Sequence, residues 1–166
     1  MPRLTHIDEC GRARMVDVGG KPATHRRAVA EGVLVVGVDV IAAIRAGRTP
    51  KGNVFETARV AGIMAAKRTA ELIPLCHPLP LESVRLDFDE GEDRITIRAE
   101  ASVTAQTGVE MEALTAVAVA GLTLIDMLKA LSKTMVLGEV RLLAKSGGRS
   151  GAWRAPSRAR GPMPRR

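Results

Sequence analysis

The sequence predicts an α+β fold, an antiparallel sheet with helices packed on one face. Three observations lead there. Residues 83–88 and 94–103 alternate apolar and polar around the turn Glu90-Gly91-Glu92-Asp93, which predicts a hairpin with one wet face. Two segments with helix-start signals, near Asn53 and near Thr107, flank that hairpin. Runs rich in β-branched residues lie before the first helical segment and after the second, so the two ends of the chain supply further strands.

Taken in order, residues 1–22 carry scattered charge and the pair Gly19-Gly20 without a period, and read as an extended arm that orders against a partner or ligand. Residues 27–38, RAVAEGVLVVGV, predict the first strand, with Gly32 marking a bulge or a close approach. Residues 40–46 predict a short helix stopped by Gly47 and Pro50. Asn53, followed by Glu56, fits a capping box, and Val54, Ala58, Ala61 and Ala65 continue along one side of the helix it opens. Lys51 and Gly52 sit just ahead of that start, where an anion would meet free N–H groups and a lysine.

Residues 67–80, KRTAELIPLCHPLP, begin as the last turns of this helix and then pass through Pro74, Pro78 and Pro80, which neither a helix interior nor a central strand accepts. Each proline fixes its own φ and restricts the residue before it, so Cys76 and His77 ride on a rigid backbone. That suits a site, because no loop has to be ordered when substrate arrives. After the hairpin, Thr107 and Glu110 form a second capping pair, and the helix they open is predicted to run to about Leu131. Residues 135–144 predict the last strand, interrupted at Gly138 and Glu139. The resulting order of strand, one or two helices, hairpin, long helix and strand is that of a split βαβ repeat, the ferredoxin-like arrangement.

Composition narrows the function. At 166 residues the chain suits one domain, read as residues 1–152 with the flexible arm, followed by an Arg/Pro/Gly-rich tail at 153–166. The tail lacks the apolar groups to repay its ordering entropy. Phe55, Phe88 and Trp153 are the whole aromatic set, so the core is aliphatic. The net charge of +7 suggests nucleic acid, but Arg149, Arg154, Arg158, Arg160, Arg165 and Arg166 account for six of it and leave +1 for residues 1–146. With few aromatic platforms in the body, no specific nucleic-acid partner is expected. The uncharged run at 113–125 is too short for a membrane span. Cys10 and Cys76 read as free thiols of a cytoplasmic protein without a leader or a zinc motif, and no metal ligands are assigned.

The long helix carries the chemistry. Between Glu112 and Lys129 its only charge is Asp126, set among Leu122, Leu124, Ile125, Met127 and Leu128. A carboxylate in apolar surroundings needs a partner, and Lys129, three residues on, reaches the same face. A buried helical ion pair is one reading and an acid/base pair the other. Glu112 and Asp126 share a face but lie roughly 21 Å apart at about 1.5 Å per residue. Serving one ligand therefore requires a long ligand, a broken helix, or opposite ends contributed by two subunits. Lys67 and Arg68 fit solvated charges as well as ligands, and Lys145, before Ser146-Gly147-Gly148, fits either a phosphate loop or a plain turn. His6 and His25 have no supporting pattern, and Cys76 and His77, adjacent in an extended segment, point apart.

Together, LTHID at 4–8, MVDVG at 15–19, KGNVFETARVAGIMAAKRT at 51–69, LIPLCHPLPL at 72–81, TGVEMEALTA at 107–116, DMLKAL at 126–131 and VRLLAKSGGRSG at 140–151 resemble the cyclic pyranopterin monophosphate synthases, the molybdenum cofactor biosynthesis protein C family. The resemblance spans about residues 3–152. It implies an enzyme that converts 3′,8-cyclo-7,8-dihydroguanosine 5′-triphosphate to cyclic pyranopterin monophosphate and releases diphosphate. It also implies a ferredoxin-like fold and a hexamer, a trimer of dimers, with sites between subunits. Carried over residue by residue, Asp126 is the general acid/base, Lys129 its partner in proton transfer and Lys51 a third catalytic group. Lys67 and Lys145 would hold phosphates, while Leu75, Cys76, His77, Glu110, Met111 and Glu112 line the heterocycle pocket. No cofactor is required, and magnesium could accompany the substrate phosphates. Asn53 stands where the family pattern has aspartate, which leaves a cap intact but removes a carboxylate. The alternatives are a non-catalytic nucleotide-binding or regulatory domain of the same fold, and a nucleic-acid binder acting through the tail.

Overall fold

The structure, a computed structural model, describes residues 10–156. The block at 4–8, His6 and the tail from residue 157 lie outside the described residues. The elements are β1 (Thr24–Val35), α1 (Val38–Arg45), α2 (Val54–Lys67), α3 (Thr69–Leu72), β2 (Ser83–Glu90), β3 (Arg94–Ala105), α4 (Glu110–Leu128), β4 (Val136–Ser146) and β5 (Trp153–Arg154). The sheet order is β2-β3-β1-β4-β5, with every neighbouring pair antiparallel. The first four strands thus follow the ferredoxin-like βαββαβ plan, and the α+β fold read from the sequence is the one observed. The short β5, which extends the β4 edge, falls inside the segment read as tail. Its pairing holds Lys145 opposite Trp153.

Alternation along β1 turns Ala28, Ala30 and Leu34 inward, and along β3 turns Ile95, Ile97, Ala99, Ala101 and Val103 inward. α2 and α4 lie on that face. Their contact is close because small residues line it: a Cβ on Gly62 of α2 would come within 2.9 Å of the Ala116 carbonyl of α4. Gly32 is both things expected of it. The β1–β4 register shifts between Glu31 and Val33, and a Cβ there would lie 2.6 Å from Val117 of α4. α4 spans 19 residues with a mean hydropathy of 1.7, long and apolar enough to cross a membrane by those criteria. Here it packs as a core helix, with Ala113, Ala116, Val117, Ala120 and Leu124 fully covered.

Three local expectations change. Asn53 does cap α2, its Oδ1 accepting from the Glu56 N–H at 3.1 Å, but the Glu56 carboxylate turns to Arg59 instead of closing the box. The second capping pair does not form. α4 starts at Glu110 behind Val109, without a side-chain cap, because the Glu110 carboxylate accepts from Lys145 Nζ at 2.8 Å. α4 also ends at Leu128, which leaves Lys129 at its C-cap.

Candidate functional site

The sequence-predicted residues divide into two groups at opposite ends of the α2/α4 pair. The N-terminal end of α4 meets the C-terminal end of α2 and the proline segment, and three connected cavities open there. One of about 430 Å³ is lined by Leu75, Cys76, His77, Met111 and Glu112. A second, about 350 Å³, has Lys67, Pro78, Pro80 and again Glu112 in its wall. The third, about 240 Å³, is bordered by Lys21, Arg26, Lys145, Arg149 and Glu110, and shares Lys21, Thr107, Gly108 and Glu110 with the first. The residues expected from the sequence to bind substrate, Leu75, Cys76, His77, Glu110, Met111, Glu112, Lys67 and Lys145, are therefore brought together around adjoining cavities.

Electrostatics at this end are set by burial. Glu112 is 4% exposed, and loss of water pushes its carboxyl up from the usual carboxylate range to about 7; its own N–H opposes the shift and the Glu110 charge adds to it. Burial, then the Glu112 charge, also pushes the Cys76 thiol up, so Cys76 is a neutral wall group and not an activated nucleophile. His77 Nε2 lies 2.9 Å from the Val16 carbonyl, which makes Nε2 the protonated nitrogen of that contact. The arm thus crosses the site with Val16 and Val18 in the cavity wall. It is held further by Gln106 Nε2, which donates to the Gly19 carbonyl at 3.5 Å.

The other end of the helix pair is different in kind. Lys51, just before α2, places Nζ 2.7 Å from Asp126 Oδ2, and Lys129 Nζ lies 2.7 Å from Oδ1. The bond from Lys129, then that from Lys51, holds the Asp126 carboxyl at about 2. The expectation that Asp126 sits in dry, apolar surroundings is overturned: its side chain is 55% exposed. The reason is helical phase. Leu124, Met127 and Leu128 face the core, whereas Leu122, Asp126 and Lys129, at steps of four and three, face outward. None of Lys51, Asp126 and Lys129 borders the three cavities. α4 is continuous between the two ends, which removes the broken-helix explanation for their separation.

Sequence reasoning missed Lys21, Arg26, Arg149 and Val16. Arg26 is the most engaged of them. Its guanidinium donates to the Ala105 and Gln106 carbonyls at 3.3 and 3.2 Å and packs against Gly148, where a Cβ would overlap it. It thereby ties the β3–α4 connection to the glycine loop after β4. The signal for this was present only as the Gly147-Gly148 pair, because the contact joins residues far apart in the chain. Lys21 and Val16 lie in an arm without any period, so their place over the cavities has no local signature.

Comparison with known proteins places these residues in a context. The model of the MoaC family matches residues 15–148. The chain is 58% identical over 155 residues to the cyclic pyranopterin monophosphate synthase of Novosphingobium aromaticivorans, covering 93% of this chain and 99% of that one. It is 57% identical over 156 residues to the like-named protein of Thermomicrobium roseum, covering 93% and 94%. It is 55% identical over 151 residues to that of Streptomyces avermitilis, covering 91% and 89%. These alignments are long enough to include residues from both ends of the helix pair.

Proposed function

The chain belongs to the MoaC family, and from that premise we propose how its two groups of residues divide the family's reaction. The chain is an enzyme, a cyclic pyranopterin monophosphate synthase that acts on the cyclised GTP derivative and releases diphosphate in molybdenum-cofactor biosynthesis. The heterocycle occupies the cavity of Leu75, Cys76, His77, Met111 and Glu112. Lys145 with its neighbours Lys21 and Arg149, and Lys67 from the separate Pro78–Pro80 cavity, supply positive charge for the phosphates, and Lys145 exchanges its Glu110 partner for phosphate when substrate enters.

Asp126, Lys129 and Lys51 carry out the proton transfers. A carboxylate held at about 2 is a poor proton acceptor at neutral pH. Drawing Lys51 or Lys129 onto a phosphate removes one of its two short bonds and raises its basicity towards the working range. The same lysines then neutralise charge that develops as the sugar hydroxyl attacks the α-phosphorus and diphosphate leaves. No hydride or electron moves in this rearrangement, so no redox cofactor is called for, and magnesium would arrive on the substrate phosphates.

One observation carries the division: the two sets of side chains assigned to the reaction sit at opposite ends of an unbroken helix. An antiparallel pairing of two protomers brings the Asp126 end of one to the cavity end of the other. Val60 and Met64 on α2 and Leu122 on α4 are exposed apolar side chains that such a pairing would cover. We read the assembly as a hexamer built from such dimers, working in the cytoplasm. Supplying the cyclised GTP derivative to the purified protein should yield cyclic pyranopterin monophosphate and diphosphate. Binding of the substrate without either product would leave the regulatory-domain reading in its place.

A further inference from the structure

Arg149 reaches the Lys145 cavity from a loop that has little to hold its own shape. Residues 147–152 leave β4 through Gly147, Gly148 and Gly151, at φ of 97°, 72° and 64°, and glycine has the most conformational freedom to lose on ordering. Within the loop the Gly151 N–H donates to the Gly148 carbonyl at 3.1 Å. The two ends are anchored on other elements. At the start, Gly147 and Gly148 lie so close to β1 that a Cβ would overlap the His25 carbonyl and the Arg26 guanidinium. At the far end Trp153 and Arg154 pair with Lys145 and Ala144, and the Ala155 N–H donates to the Leu143 carbonyl at 2.8 Å. β5 is thus the second post of the loop, although composition assigns that stretch to the tail.

Lys145 and Arg149 depend on this post differently. Lys145 sits within β4 opposite Ala28 of β1, so its place is fixed from the other side of the strand. Arg149 and Ser150 lie midway along the loop and border the cavity. With β5 released they would swing on one anchor, and an anion would have to order the loop before using them. With β5 docked, that order already exists. On the phosphate reading of this cavity, we propose that β5 is a positioning strap: pairing of residues 153–155 with β4 holds Arg149 over the Lys145 cavity, so that phosphate binding and strand docking reinforce each other.

Trp153 is the only tryptophan in the chain and is 43% exposed, so its emission reports on the strap alone. The test uses the full-length enzyme with inorganic diphosphate as the probe. Calorimetry gives the affinity, acrylamide quenching of Trp153 gives the docking, and thermal melting checks the fold. Ala155→Pro removes the N–H that bonds Leu143, whereas Ala155→Ser keeps it. Ala155→Pro should bind diphosphate about 5–10-fold more weakly than wild type, because the loop must now be ordered on binding. Its Trp153 should be quenched more readily, an excess that saturating diphosphate reduces. Ala155→Ser should match wild type in both readings. Arg149→Ala should weaken binding about 10-fold, the scale of a lost contact to a charged group. Adding Ala155→Pro to Arg149→Ala should then weaken it by less than about twofold more, since the strap acts through Arg149.

Three results would each overturn the proposal. One is a released strand with wild-type diphosphate affinity. Another is a pair of substitutions whose effects multiply, which would make β5 a general stabiliser and not a positioner. The third is an Ala155→Pro protein whose Trp153 is no more accessible than before, since the pairing would then not be what holds the strand. In turnover of the cyclised GTP derivative, Ala155→Pro should raise KM several-fold and leave kcat nearly unchanged. Normal wild-type turnover without a strap effect sinks the strap alone. A strap effect on diphosphate in a protein that makes no product sinks the enzymatic reading instead.

Discussion

Two carboxylates on the same helix behave in opposite ways. Glu112 lies in the first turn of α4, where the helix dipole favours a negative charge, yet its carboxyl is pushed up to about 7. Asp126 lies in the last turn, where the dipole disfavours that charge, yet it is held at about 2. The dipole loses at both ends. Its worth is about 0.3–1 kcal/mol, whereas 2.5 pKa units at Glu112, from 4.5 to about 7, correspond to roughly 3 kcal/mol. Burial decides the sign at Glu112, and two lysines at 2.7 Å decide it at Asp126. One carboxylate is thus governed by the loss of water and the other by paired charges in an open, wet setting.

The largest expected effect comes from breaking the charged end. Asp126→Asn or Lys129→Ala should lower kcat about 10²–10⁴-fold, the usual share of a positioned acid or base. Thermal unfolding should stay unchanged, because both side chains are mostly exposed. Steady-state product formation near the wild-type rate in either variant would remove the pair from the mechanism. Mixing sharpens the contrast further. Asp126→Asn and Lys145→Ala, each inactive alone, should recover about a quarter of wild-type activity after co-refolding if each site takes its ends from two chains, since half of the dimers are mixed and each has one intact site. No recovery would mean that a single chain supplies both ends.

These contrasts were only partly legible in the sequence. The hairpin, the Asn53 cap and the order of elements follow from periods and turn residues that act locally, and the structure repeats them within a few residues. The outward face of Asp126 was hidden because α4 is apolar nearly all round, which leaves no polar stripe to reveal its phase. Only the packing of α2 and the sheet against it decides which side is wet. The pairing of Lys51 with Asp126 spans 75 positions, and that of Lys145 with Glu110 spans 35. The second of these is why Glu110 was misread as part of a cap. Its sequence spacing from Thr107 is right, but a lysine from β4 competes for the same carboxylate and wins.

The buried end should be broken by removing its titration. Glu112 keeps its proton to a higher pH when folded than when unfolded. The native state therefore binds more protons between about pH 4.5 and 7, and wild-type stability falls as pH rises through that window. Glu112→Gln has no such fall. In chemical denaturation it should exceed wild type by up to about 3 kcal/mol at pH 8 and match it near pH 4. A difference that stays constant across that range would mean burial is not what sets this carboxyl apart.

The smallest expected effect concerns how the charged end is aimed. Lys51 reaches Asp126 from the loop that Asn53 closes, and Thr49 Oγ1 donates to the Gly52 carbonyl at 2.6 Å within the same loop. Asn53→Ala removes the acceptor of the Glu56 N–H and should cost about 1 kcal/mol in denaturant unfolding. Asn53→Asp keeps an oxygen in that place and adds a negative charge at a helix N-terminus, so its stability should stay within a few tenths of a kcal/mol of wild type. The added carboxylate also gives Lys51 a second anion to choose from. If Lys51 must stay on Asp126 to work, Asn53→Asp lowers kcat modestly while leaving nucleotide affinity at the cavity end unchanged. An Asn53→Asp enzyme weakened in nucleotide affinity, with kcat intact, would mean that the two ends are not separable.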